Sequence, residues 1–176
     1  MTLLLHPVRL RIVQAVADER VFTTAQLCDR LPDVSRATVY RQLALLADGG
    51  LVEVAGEQRI RGAVERSYRL RRGHAVIPAE EAARMTADEH RRGLAAVVAS
   101  LLAEFDVYLA RDGADPFTDG VSYKQFSLWL DEEERASLTA EVRAAIAARV
   151  GNRPRTGRTR HLLAPIFFPA EPGPPS

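Results

Sequence analysis

Residues 35–54, Ser-Arg-Ala-Thr-Val-Tyr-Arg-Gln-Leu-Ala-Leu-Leu-Ala-Asp-Gly-Gly-Leu-Val-Glu-Val, constrain the fold most tightly. Ser35 can cap a helix by accepting a hydrogen bond from a backbone N–H in the first turn. Val39, Leu43 and Leu46 then fall at i, i+4 and i+7, one buried stripe. The Gly49-Gly50 pair supplies a left-handed stop, and the β-favouring Leu51 to Ala55 run on as a strand. Upstream, Thr23 or Thr24 caps a shorter helix that turns Leu27, Cys28 and Leu31 inward and ends at Pro32. A first helix starts at His6-Pro7, since proline is tolerated in a first turn. It carries Leu5, Val8, Ile12 and Val16 at helical spacing. Residues 64–70 form a second strand, and the glycine-bounded stretch 56–62 is a hairpin loop. Residues 5–70 therefore run helix, helix, helix, strand, loop, strand: a helix-turn-helix with a wing behind it.

The outward side of the 35–47 helix is the informative one. At 100° per residue, Arg36, Ala37, Tyr40, Arg41 and Ala44 lie opposite the apolar stripe, with Ser35 and Thr38 at the N-terminal end. Two guanidinium groups, a phenol and two small residues suit close approach to a major groove, which admits one helix. Arginine reads guanine through O6 and N7, and Ser and Thr hydroxyls at a helix start suit phosphate oxygens. Arg59 and Arg61 in the wing, residues 56–63, are candidates for the DNA backbone or minor groove. Arg66, Arg69, Arg71 and Arg72 are weaker candidates, because some must face acids of the second half. Charge agrees with this assignment. Residues 1–72 hold twelve Arg against eight acids, and residues 73–150 eight basic against fourteen acidic residues. A basic first module implies a negatively charged partner.

Beyond residue 72 the chain changes character. Residues 78–84 make a helical turn. Thr86 and Glu89 have the form of a capping box, opening a helix with Leu94, Val98, Leu101, Phe105 and Tyr108 as a short heptad-like seam. That seam is expected to pack against the winged helix and a symmetry mate. Residues 112–120 are loop. Residues 121–130 alternate as a strand, with Phe126, Leu128 and Leu130 on one face and Tyr123 and Trp129 on the other. Asp131 and Glu134 cap a helix expected to bury Leu138, Val142, Ala145 and Ile146. Residues 151–158 are a basic linker and 161–168 a last apolar strand. The fold class is mainly α with small β: a winged helix-turn-helix at 1–72, then a long helix within a small α+β dimerisation or effector region at 73–168. Residues 169–176 are a disordered tail by composition.

Several blocks together carry a family resemblance. They are His6-Pro-Val-Arg-Leu-Arg-Ile-Val-Gln-Ala-Val16, Thr24-Ala-Gln-Leu-Cys-Asp-Arg-Leu31, Ser35-Arg-Ala-Thr-Val-Tyr-Arg-Gln-Leu43, Gly50-Leu-Val-Glu-Val54 and Glu65-Arg-Ser-Tyr-Arg-Leu70. Over residues 3–72 the chain resembles the winged-helix domain of ArsR-type bacterial transcriptional regulators. The resemblance implies a homodimer on a pseudo-palindromic double-stranded DNA operator. Ala37-Thr-Val-Tyr-Arg41 also resembles the recognition helix of Fur-type regulators, whose His- and Cys-rich ligand segments are missing here.

The sequence argues against other classes. Cys28 is the single cysteine, so neither an internal disulfide nor a Cys-x-x-Cys site is available. ArsR-type metal sensors often place a Cys-x-Cys pair before the recognition helix, and this chain has only Cys28 there. His6, His74, His90 and His161 are scattered, so no metal or other cofactor is expected. No catalytic motif stands out, so the chain is not expected to be an enzyme. No apolar run reaches the roughly 20 residues of a membrane span, and a cytoplasmic location is expected. Tyr123, Trp129, His161 and Phe167 are the groups expected around any small-molecule effector site. The expected function is sequence-specific DNA binding that regulates, and most simply represses, transcription. The rival functions are a winged helix used for protein interaction and a small-molecule sensor built on the second half.

Overall fold

The computed structural model describes residues 2–16, 21–60, 63–71 and 79–171. Its contacts divide the chain into two units, Met1–Asp119 and Gly120–Ser176. Helix α5, assigned from sequence to the second region, belongs with the first unit.

After a 3-10 turn at Thr2–Leu4, α1 spans Pro7–Val16, with Val8 N–H donating to the His6 imidazole Nδ1. Strand β1 (Phe22–Thr23) leads into α2 (Thr24–Arg30), which Thr23 and Gln26 close with a reciprocal capping box. Pro32 and Asp33 turn the chain, and Ser35 caps α3 (Arg36–Asp48) by accepting from the Thr38 N–H. The exit from α3 shows why two glycines are needed. Gly50 adopts φ +73°, and Leu51 N–H and Gly50 N–H return to the Leu46 and Ala47 carbonyls, a Schellman closure. A β-carbon on Gly49 would lie 1.9 Å from Leu3 Cδ1. Val39, Leu43 and Leu46 enter one core with Ile12, Val16, Leu27, Leu31 and Phe22, as their spacing predicts.

The hairpin is longer than its glycines suggest. β2 covers Val52–Ile60 and β3 Ala63–Leu70, so most of the expected loop is paired strand. Gly56 does not end the strand; it follows a register shift after Val54, with Ser67 Oγ donating to its carbonyl at 3.2 Å. β3 lies centrally in the antiparallel order β1-β3-β2, and Phe22 stacks on Tyr68 across the β1–β3 pair.

A short α4 (Ala79–Ala82) precedes α5 (Ala87–Leu109), which Thr86 and Glu89 close with the expected capping box. The expected seam of α5 is split: Leu101, Phe105 and Tyr108 are half-buried and Leu94 and Val98 exposed, while the closest approach to α1 runs through smaller residues. Gly93, Ala96, Ser100 and Glu104 recur at steps of three, four and four, and Ala96 and Ser100 are buried. A β-carbon at Gly93 would press on Leu5 Cδ2 at 3.2 Å. Small side chains let α1 approach closely, so Leu94, Val98, Leu102 and Leu109 stay exposed.

In the second unit α6 spans Glu132–Val150, with a capping box between Asp131 and Glu134. The strands expected at 121–130 and 161–168 do not form: both segments lack any ladder among the described residues. Alternation shows which residues suit a pleat; a strand also needs a hydrogen-bonded neighbour. The β part of the expected α+β region is therefore absent from the described residues. Helix α6 half-buries Leu138 and Ile146, whereas Val142 and Ala145 are exposed, contrary to expectation. Of the expected tail, residues 172–176 lie outside the described residues.

The ion cluster at Arg11 gives a stability prediction. Its guanidinium, 3% exposed, donates to both Asp33 oxygens at 2.6 and 2.7 Å and to Glu104 Oε1 at 2.8 Å. Hydrogen bonds from Arg11 hold the Asp33 carboxyl below its ordinary value of 3.8. Its stabilisation is thus present above that value and lost as pH falls through the lowered one. Arg11→Ala should cost about 2–4 kcal/mol in urea unfolding at neutral pH. Asp33→Asn should remove the matching loss of stability from about pH 4 downward.

Candidate nucleic-acid interface

α3 is amphipathic by construction. Val39, Gln42, Leu43 and Leu46 are buried, which turns Arg36, Ala37, Tyr40, Arg41 and Ala44 outward, as the sequence predicts. Tyr40 is 58% exposed. The two alanines leave the helix surface low between the longer side chains. Ser35 Oγ donates to Thr38 Oγ1 at 2.9 Å while accepting the Thr38 N–H at 3.2 Å. The Ser35 hydroxyl is therefore occupied by capping, and the Thr38 hydroxyl keeps a proton to donate to an incoming oxygen.

The structure adds one group to this face. His6, at the start of α1, stands within Coulombic reach of Arg41 on α3 and of Arg9 one turn along α1. Burial first, and then those two guanidinium groups, depress the His6 pKa below 6.5. The positive charge of α1 and α3 thus acts together on His6. Sequence spacing gives no hint of it, because it arises from the packing of α1 beside α3. The signal available was only that His6 precedes a proline-started helix.

The wing distributes its charge differently from expectation. The antiparallel register places Glu53 opposite Arg69 and Glu57 opposite Arg66. Arg66 Nε donates to Glu57 at 2.8 Å, and Arg69 and Arg71 both donate to Glu53, the latter at 2.9 Å. Those hydrogen bonds hold the Glu53 carboxyl below its ordinary value. The acids facing these arginines are thus in β2 itself, not in the second half. Cross-strand pairing of opposite charges at that register was the signal that would have found them. Arg59 is exposed near the tip, opposite Val64 and not a carboxylate. Arg61 and Arg72 lie outside the described residues.

Other expected groups do not gather. Tyr123, Trp129, His161 and Phe167 are exposed, and neither of two shallow hollows, one between α3 and the hairpin and one beside β1, is lined by them. Among the described residues no cluster of His, Cys, Asp or Glu could hold a metal ion, and Cys28 is a buried free thiol in the core. No described helix is long and apolar enough to cross a membrane.

The comparison with known families falls on this same surface. Residues 4–55 match the family model of a helix-turn-helix domain. The chain carries a helix-turn-helix DNA-binding domain. The match runs from the turn before α1, through α2 and α3, into β2, and it takes in the whole basic face. No curated protein matches the chain.

The paired wing arginines give a measurable consequence. Glu53→Gln removes the carboxylate shared by Arg69 and Arg71 and frees both cations for phosphates. Its binding to random-sequence DNA should become steeper in salt by roughly one to two units of logarithmic slope. A slope equal to that of the parent chain would show that neither arginine reaches DNA.

Proposed function

We propose that this chain is a homodimeric, sequence-specific DNA-binding regulator of transcription in the ArsR-like manner, acting in the cytoplasm as a repressor. α3 enters the major groove of a pseudo-palindromic operator. Arg36, Tyr40 and Arg41 select bases, Thr38, oriented by the Ser35 cap, holds phosphate, and the wing, through Arg59 and Arg61, lies on the backbone or in the minor groove. The observation that carries this reading is the outward face of α3. It is cationic and flanked by alanines, with Tyr40 held out in solvent instead of packed in the core. A helix kept only for structure has no need of a low, charged outer surface beside a capped N-terminus.

The dimer in this reading uses the outward stripe of α5. Leu94, Val98 and Leu102 recur every four residues and are exposed, the pattern of a helix awaiting a second helix. A two-fold axis then sets the recognition helices about one turn of DNA apart, ~34 Å.

Two measurements test the proposal. Arg41→Ala should cost on the order of 1–3 kcal/mol on the preferred sequence and much less on scrambled DNA, measured by fluorescence anisotropy. An equal loss on both would make Arg41 a backbone contact. The second is a pH series. A phosphate beside His6 raises its depressed pKa, so binding takes up a proton between the lowered pKa of the free protein and the higher one of the complex. Affinity should rise as pH falls through that window, and His6→Gln should flatten the rise.

A further inference from the structure

The second unit leaves a large amount of apolar surface without a partner. Trp129 is 83% exposed, Phe126 77%, Phe168 65% and Phe167 57%. An aromatic side chain offers roughly 150–250 Å², so these four alone present on the order of 400–700 Å². Leu128, Leu162 and Leu163 add to that. A standard interface takes about 800 Å² per partner, so exposed area of this order is what a subunit contact would use. The backbone adds a second demand. Segment 121–130 alternates as a strand would and segment 161–168 is a run of apolar residues, yet neither has a ladder among the described residues. Segment 121–130 contains one charged residue, Lys124, and no proline. Such an edge is an aggregation hazard unless something pairs with it.

We propose that segment 121–130 pairs antiparallel with the same segment of a second copy of this chain about a two-fold axis. Segment 161–168 then forms the outer strand on each side of a four-stranded intersubunit sheet. The inference deepens the dimer in the reading above and does not depend on DNA. Three features select a second copy over another partner. Antiparallel self-pairing brings like charges together only if the register centres on Lys124. Pro165 has no N–H to donate, which confines its segment to an edge and leaves 121–130 for the centre. Charge supplies the third. A strand–helix–strand connection lays 121–130 and 161–168 parallel. The basic linker, Arg153, Arg155, Arg158 and Arg160, then ends beside residue 121. Antiparallel pairing brings the acidic end of the other copy, residues 131–134, to that same end of the sheet. Each copy thus offers an acidic end to the other's basic linker.

Trp129 is the only tryptophan of the chain, so its fluorescence reports this surface alone. The full-length protein is diluted while its mass is followed by sedimentation and Trp129 by acrylamide quenching. Trp129 should be shielded in the dimer and become quenchable in step with dissociation, with 121–130 amides protected from hydrogen exchange only in the dimer. Leu128→Asp should weaken the dimer at least about tenfold and expose Trp129, with unchanged exchange protection in α1–α3 showing that the first unit still folds. Glu132→Lys with Glu133→Lys should weaken it too, and adding Arg153→Glu with Arg155→Glu should restore it. Trp129 freely quenched in a dimer overturns the strand pairing and leaves the α5 dimer standing. Trp129 shielded in a monomer overturns it in favour of cover by the chain itself. A monomer at every concentration with Trp129 exposed overturns both interfaces, while DNA binding by that monomer would keep the α3 reading.

Discussion

The first unit turns on one buried cation. Arg11 projects from α1 into a site closed to water and meets two carboxylates, Asp33 in the turn before α3 and Glu104 on α5. A guanidinium in such a place is tolerated only when its donors are satisfied, because removing one partner leaves a desolvated charge. The planar fork takes both oxygens of Asp33 and uses Nε for Glu104, so direction is specified as well as distance. The start of α3 and the middle of α5 are therefore held to the same side chain. The surrounding apolar core would tolerate small slides of one helix over another; the fork does not.

That constraint matters for what α3 presents. Its N-terminal turn is fixed from three directions: the Ser35 cap, the Asp33 link to α1, and the Val39 and Leu43 side chains in the core. A helix held this way keeps its outer face in one orientation, which a rigid groove requires. On the other side of α1, Gly93, Ala96 and Ser100 bring α5 in close, while Leu94, Val98, Leu102 and Leu109 stay exposed. The structure thus separates two jobs along one helix, with small residues for the closest contact inside the chain and those four large ones left outside.

Legibility in the sequence followed the range of the interactions. The caps at Thr23, Ser35, Thr86 and Asp131, the glycine exit from α3 and its buried stripe are local, set by residues within one or two turns, and could be read directly. The outward set of Arg36, Tyr40 and Arg41 followed from the same period. What could not be read depends on partners distant in sequence. The Arg66, Arg69 and Arg71 pairs need the hairpin register, and the approach of His6 to Arg41 needs the packing of two helices. For α5 the apolar seam was only part of the inner face: Leu101, Phe105 and Tyr108 are half-buried, but the closest approach to α1 is made by small residues, which carry little hydrophobic signal. Segments 121–130 and 161–168 show the reverse error: the alternation of one and the apolar run of the other are real, but a ladder is not a property of one segment.

The central claim is that the outward face of α3 recognises duplex DNA in a sequence-dependent way. Footprinting the full-length chain on the DNA upstream of its own coding region, repeated across a salt series, tests it most directly. The account predicts discrete protected sites made of two halves about 10 base pairs apart, with affinity falling steeply as salt rises. Protection spread evenly along the fragment, or none at low salt, would contradict it.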